Sequence, residues 1–138
     1  MGERALYDYA VISEDWNEAP KSLIEAADGE SILRRERLYR ATDDEFGHDD
    51  EEIGVLYLEE RRSTEPSEVV CRAVFRFVDE DSLTASGTLP ERSTDGGVAV
   101  DSGRLGIVGG SGKYGRARGQ VHVQVQNPKR WFAEDPSG

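Results

Sequence analysis

At 138 residues the chain is long enough for one domain with its own core, and its single cysteine, Cys71, excludes an internal disulfide. Its 28 acidic against 17 basic residues give a net charge of −11, which argues against DNA or RNA as a partner, because phosphate neutralisation needs clustered Lys and Arg. The N-terminal MGERALYDYA holds no apolar leader, and no apolar run approaches the ~18 residues of a membrane span, so a soluble cytoplasmic protein without a membrane partner is expected.

Strand signals dominate the chain. Residues 4–13 (RALYDYAVIS) are rich in aromatic and β-branched side chains, and a strand there sets Tyr7 and Tyr9 on one face. Residues 20–28 (PKSLIEAAD) predict one short helix: Pro20 suits a first turn, Leu23, Ile24 and Ala27 share a face, and Gly29 can end it. Strands are then expected near 31–40, 53–61, 69–79, 82–89, 97–101, 103–108 and 116–127. Turn-rich separators divide them at Asp43-Asp44, Thr64 to Ser67, Asp79 to Asp81 and Ser93 to Gly97. The tail, PKRWFAEDPSG, is expected to fray at its end, with Trp131 and Phe132 packed onto the body. Short strands at this spacing predict a single all-β domain over 1–138, an antiparallel barrel or sandwich.

Several chemistries are excluded early. Gly110, Gly112 and Gly115 spell G-x-G-x-x-G, but that motif cradles a pyrophosphate only where a helix begins within it. Here Gln120 to Gln126 alternates polar and β-branched residues, the period of a strand, so the glycines read as a turn between two strands. Two histidines, His48 and His122, lie on different elements without spaced partners, which leaves no transition-metal site. The loop 43–52 (DDEFGHDDEE) has seven carboxylates but not the ligand order of a calcium loop, and reads as a solvated face. No serine sits in a nucleophile elbow, and Cys71 follows Val69-Val70 as a buried thiol. Tyr7 with Tyr9 and Phe75 with Phe77 share faces on their strands. These rings either line an apolar pocket or fill a barrel.

The stretch 106–119, GIVGGSGKYGRARG, resembles the VVGGTGxFRxARG signature of plant dirigent proteins, and 105–125 as a whole resembles the matching hairpin of allene oxide cyclases. Upstream, FRFVDEDSLTASG at 75–87 is similar to the FxFGDxGxLxxxG stretch of the cyclases, and Arg37-Leu38-Tyr39 with Ile53-Gly54 to their KLY…VG segment. The resemblance covers most of 31–127. It implies an eight-stranded antiparallel β-barrel with an apolar central cavity, a homo-oligomer (dimer or trimer) and no cofactor. Aligned on Ala19-Pro20, the cyclases' first-strand glutamate falls on Val11 and their water-holding asparagines on Ser13 and Glu36, so allene oxide cyclase activity itself is not implied. The dirigent His-Asp pair is matched only by Tyr7-Asp8.

The same alignment sends Tyr7, Tyr9, Val11 and Ser13 inward, with Glu36, Leu38, Leu56, Leu58, Glu60, Phe75, Phe77 and Val100. It thereby implies a cofactor-independent cyclase or isomerase that shapes a small hydrophobic substrate, a polyketide-like polyene or epoxide. Tyr7, Tyr9 and Glu36 are the candidate catalytic residues. Val11, Leu38, Leu56, Leu58, Glu60, Phe75, Phe77 and Val100 are the candidate pocket, and residues 14–30 a candidate lid. A glutamate in apolar surroundings has its pKa raised by desolvation, which would fit it as a general acid. Turned outward, Glu36 and Glu60 would instead meet Arg35, Arg37 or Arg61. The alternatives are a non-catalytic barrel carrying a hydrophobic ligand and a barrel with no cavity.

Overall fold

The computed structural model describes residues 4–15, 30–42, 47–63, 68–79, 81–94, 97–125 and 128–134. The helix expected over 20–28 and most of the lid expected over 14–30 lie outside them. Among the described residues nine strands follow in chain order: β1 (Val11–Asp15), β2 (Ser31–Ala41), β3 (His48–Arg62), β4 (Glu68–Phe77), β5 (Ser82–Thr94), β6 (Gly97–Val100), β7 (Gly103–Gly110), β8 (Gln120–Gln124) and β9 (Lys129–Glu134). Every named pair is antiparallel, in the order β4-β3-β2-β1-β9-β8-β7-β5, and a β4–β5 ladder closes the row into an eight-stranded ring. Closure leaves none of these eight strands with an open edge.

Period-2 alternation builds the core. On β4, Val69, Cys71, Ala73, Phe75 and Phe77 are buried, while Arg72 and Arg76 face water. The same parity on β2 and β3 buries Leu38, Leu56 and Leu58, and these side chains join Val11, Leu83, Leu105, Val121, Val123 and Trp131 in one packed cluster. Burial pushes the Cys71 thiol up to about 12, with the Glu60 carboxylate adding to it, so this cysteine is an inert core residue.

The expected number of ring strands holds, but their membership does not. The strand expected at 97–101 stands outside the ring as β6, an arm paired only to the outer end of β5. Its place is taken by the tail, where Lys129–Glu134 forms β9 between β1 and β8. Trp131 is the reason. It sits opposite Val11 on one side and Val123 on the other, and burying its ring makes a ring strand of a segment that was expected only to pack onto the body.

The first strand also begins later than expected. Residues 5–9 form a turn closed by an Ala5–Tyr9 bridge, with Leu6 held at φ 74° and buried at the end of the barrel. That left-handed backbone is uncommon for a leucine. It is fixed by Ala133 N–H donating to the Leu6 carbonyl at 2.5 Å and Tyr114 O–H donating to that of Ala5 at 3.2 Å. Leu6, Tyr114 and Phe77 thus cap one end, the last two with ring centroids 5.5 Å apart.

Half of the acidic loop is strand. His48 to Glu52 extend β3 against Ala41 and Tyr39, and the His48 ring stacks on Tyr39 at 4.3 Å.

Residues 105–125 form the expected hairpin. β7 pairs with β8 from Gly103↔Val123 to Gly106↔Gln120, and the connection holds a single 3-10 turn, Gly112–Tyr114, with no α-helix to receive a phosphate. The glycines there differ in what they do. A Cβ on Gly110 would lie 2.5 Å from the Tyr114 carbonyl oxygen and 2.8 Å from that of Ser82, whereas a Cβ on Gly109 meets nothing within 4 Å. Gly110→Ala should therefore destabilise the fold by about 1–3 kcal/mol, while Gly109→Ala stays within about 0.5 kcal/mol of wild type, as urea unfolding midpoints will read.

Candidate functional site

Inward parity at the end opposite the Leu6 cap brings charge into the barrel. Ser13 and Asp15 share a face of β1, Arg34 and Glu36 a face of β2, and Lys129 and Trp131 a face of β9. Glu36 and Glu60, left open between inward and outward by the sequence, both turn inward and are 1% exposed. Each meets its cation. Lys129 Nζ lies 2.6 Å from Glu36 Oε2, and Arg34 Nε lies 2.7 Å from Glu60 Oε1. Ser13 links the polar cluster to the core: its Oγ–H donates to Glu36 Oε1 at 2.7 Å while Trp131 Nε1–H donates to Ser13 Oγ at 2.8 Å.

Asp15 completes the group through a hydrogen bond to Glu36. The two carboxyls diverge. Partial burial, the hydrogen bond to Glu36 and the Glu36 charge raise the Asp15 pKa. Burial alone would raise that of Glu36 too, but the Lys129 ammonium and the hydrogen bonds from Asp15, Lys129 and Ser13 outweigh it and hold Glu36 below the usual carboxylate range. The upward shift expected for a buried glutamate is thus corrected: the Glu36 pKa is lowered, and it is that of Asp15 that is raised.

Above this floor opens a cavity of ≈ 520 Å³. Ser13, Asp15, Arg34, Glu36, Glu60 and Lys129 form its polar side. Ala99 and Val100 of the β6 arm, with Val125 and Pro128, form an apolar wall, and Arg92 stands at the edge. The cavity is therefore mixed in character, where an apolar one was expected. Of the residues expected to line it, Glu36, Glu60 and Val100 do so. Val11, Leu38, Leu56, Leu58, Phe75 and Phe77 instead fill the barrel beneath.

Tyr7 and Tyr9 lie apart from Glu36, because the chain turns where a strand was expected. Tyr7 stacks on Tyr114 at 6.3 Å and its O–H donates to the Arg118 carbonyl at 3.3 Å, while the Arg40 guanidinium covers Tyr9 at 4.2 Å. Both belong to the capped end. The site residues that sequence reading missed are Asp15, Arg34, Arg92 and Lys129. The i, i+2 spacings Ser13–Asp15 and Arg34–Glu36 were visible, but charges on strands are read as outward by default.

No family model matches the chain, and no curated protein matches it. Its fold is shared. Among solved structures the chain is similar to a pyocyanin demethylase, with a TM-score of 0.64 and 14% sequence identity over 91% of this chain and 96% of that one. The likeness is one of architecture. Among the described residues no group of three or more His, Cys, Asp or Glu is placed to hold a metal ion, and no helix is long and apolar enough to cross a membrane.

Proposed function

We propose that this barrel is a cofactor-independent isomerase or cyclase that moves a proton on a small molecule bound at its mouth. The observation that carries the reading is the Asp15–Glu36 pair on the floor of a 520 Å³ cavity. Two carboxyls whose environments move their pKa values in opposite directions suit an acid–base couple, Asp15 shifted toward the acid and Glu36 held toward the anion by Lys129. In the reaction Asp15 gives its proton to a substrate oxygen or to the far end of a conjugated system. The pair, stabilised in its doubly anionic form by Lys129, then takes one from a substrate C–H. One proton leaves one atom and one arrives at another, with no net change in oxidation state. The cavity holds the substrate in the geometry that reacts.

This work falls to the polar mouth, and Tyr7 and Tyr9 have no part in it. The resemblance of residues 105–125 to the allene oxide cyclase and dirigent-like barrels supports such a role. Pyocyanin demethylase is named for acting on a small molecule, which supports the coarser reading of a barrel that processes one. The competing reading, a carrier without chemistry, draws on the fact that both Glu36 oxygens already accept hydrogen bonds.

Solvent exchange separates the two. In D2O, mass spectrometry of conjugated enones, β-keto acids and pyocyanin incubated with the protein should show C–H to C–D exchange for at least one compound. Asp15→Asn should slow that exchange about 100-fold or more. Binding without any exchange would leave the carrier reading standing, and exchange unchanged in Asp15→Asn would overturn the acid–base role of the Asp15–Glu36 pair.

A further inference from the structure

The charges around the cavity do not all cancel locally. Glu36 is matched by Lys129 and Glu60 by Arg34, and Glu14, also on the cavity lining, is matched by His48, whose Nε2 lies 2.8 Å from Glu14 Oε1. The His48 ring offers both nitrogens to acceptors, Glu14 and the Asp49 carbonyl. Burial alone would lower its pKa, but the hydrogen bonds to Asp49 and Glu14 outweigh it and raise it, which favours the imidazolium. Asp15 shares a hydrogen bond with Glu36. That leaves Arg92. It lines the cavity from β5 without an acidic partner among the described residues, directly across the ladder from Ala99 and beside Val100.

From this arrangement we infer that the ligand of the mouth is a compact organic monoanion, a carboxylate held by Arg92 with an apolar body against Val100, Val125 and Pro128. The inference rests on the mouth being the binding site, as the proposed function has it, and adds the chemical class of what enters. A guanidinium presents two parallel N–H donors that match the two oxygens of a carboxylate. The long-range field cannot supply the selectivity, because a chain of net charge −11 repels anions overall. A preference for the anion must therefore come from a local cation, and the other cations of the floor are occupied by buried carboxylates.

The test uses 1-naphthoate and its neutral isostere 1-naphthamide, titrated into the full chain by calorimetry and followed by amide chemical shifts. Naphthoate should bind at least about tenfold more tightly than naphthamide, the worth of one charge-assisted contact, and shift Val100 and Val125. Arg92→Gln should abolish that preference while leaving naphthamide within about twofold. Arg116→Gln, remote from the cavity, should leave it intact. Equal affinities, no naphthoate binding at millimolar concentration, or a preference that survives Arg92→Gln would each overturn the inference. Proton exchange decides the proposed function separately. A barrel that exchanges protons but ignores the anion loses only the ligand class, and one that prefers the anion but exchanges nothing loses only the chemistry.

Discussion

Trp131→Ala is expected to be among the most destabilising single substitutions in this chain, costing about 3–5 kcal/mol by urea unfolding with the m-value largely unchanged. Three losses combine. The ring is 1% exposed and packs edge-on against Phe75, with centroids 5.3 Å apart, so its removal leaves a large cavity in the middle of the barrel. Its Nε1–H donates to Ser13, and without it the hydroxyl that supports Glu36 loses a partner. It also anchors β9 between β1 and β8, without which the ring would open at that point. Trp131→Phe separates these effects. It keeps most of the packing and loses the hydrogen bond, for which about 1–2 kcal/mol is expected. A loss below about 1 kcal/mol in the alanine variant would mean that the tail is not a structural strand.

That residue also marks where the sequence stops being legible. Strands such as 69–77 declare themselves because each inward position is apolar while Arg72 and Arg76 mark the outward face. The tail is less clear, because Lys129, Arg130 and Glu134 within the strand dilute its apolar pattern, and only its pairing with both β1 and β8 shows that it belongs to the ring. Local periodicity carries no information about which strand fills the last gap. The 105–125 hairpin was legible because its glycines and its β-branched alternation both point to strand–turn–strand. Tyr7 and Tyr9 misled for the opposite reason. Their spacing is that of a strand, yet burial of Leu6 in the barrel end bends the backbone into a turn that no two-residue period predicts. The polar floor was half visible: the parity put Glu36 and Glu60 inside, but the cations that make their burial tolerable come from β2 and β9 and are brought to them by the fold.

The Glu36–Lys129 pair carries the second large effect. Glu36 is 1% exposed and the Lys129 side chain 19%, so removing either partner strands a charge in a poorly solvated place. Glu36→Gln and Lys129→Met are each expected to cost about 3–5 kcal/mol, and Glu36→Gln/Lys129→Met less than the sum, since the double variant buries no orphan charge. The pH dependence gives a sharper signature. The folded pKa of Glu36 lies below its unfolded value, so its contribution is full above the unfolded carboxylate pKa of about 4.3 and disappears as pH falls through the lower folded value. Asp15 acts with the opposite sign. Its folded pKa is raised, so its proton contributes below the unfolded value and that contribution is lost as pH rises through the folded one. Wild-type unfolding midpoints should therefore fall steeply on the acid side, and Glu36→Gln should flatten that fall while lowering stability at neutral pH. In Lys129→Met the acid limb should flatten as well, because a glutamate without its ammonium takes up a proton instead of remaining a buried anion. An acid limb unchanged in both variants would mean that Glu36 does not hold its charge in the folded barrel, and the acid–base couple with Asp15 would fall with it.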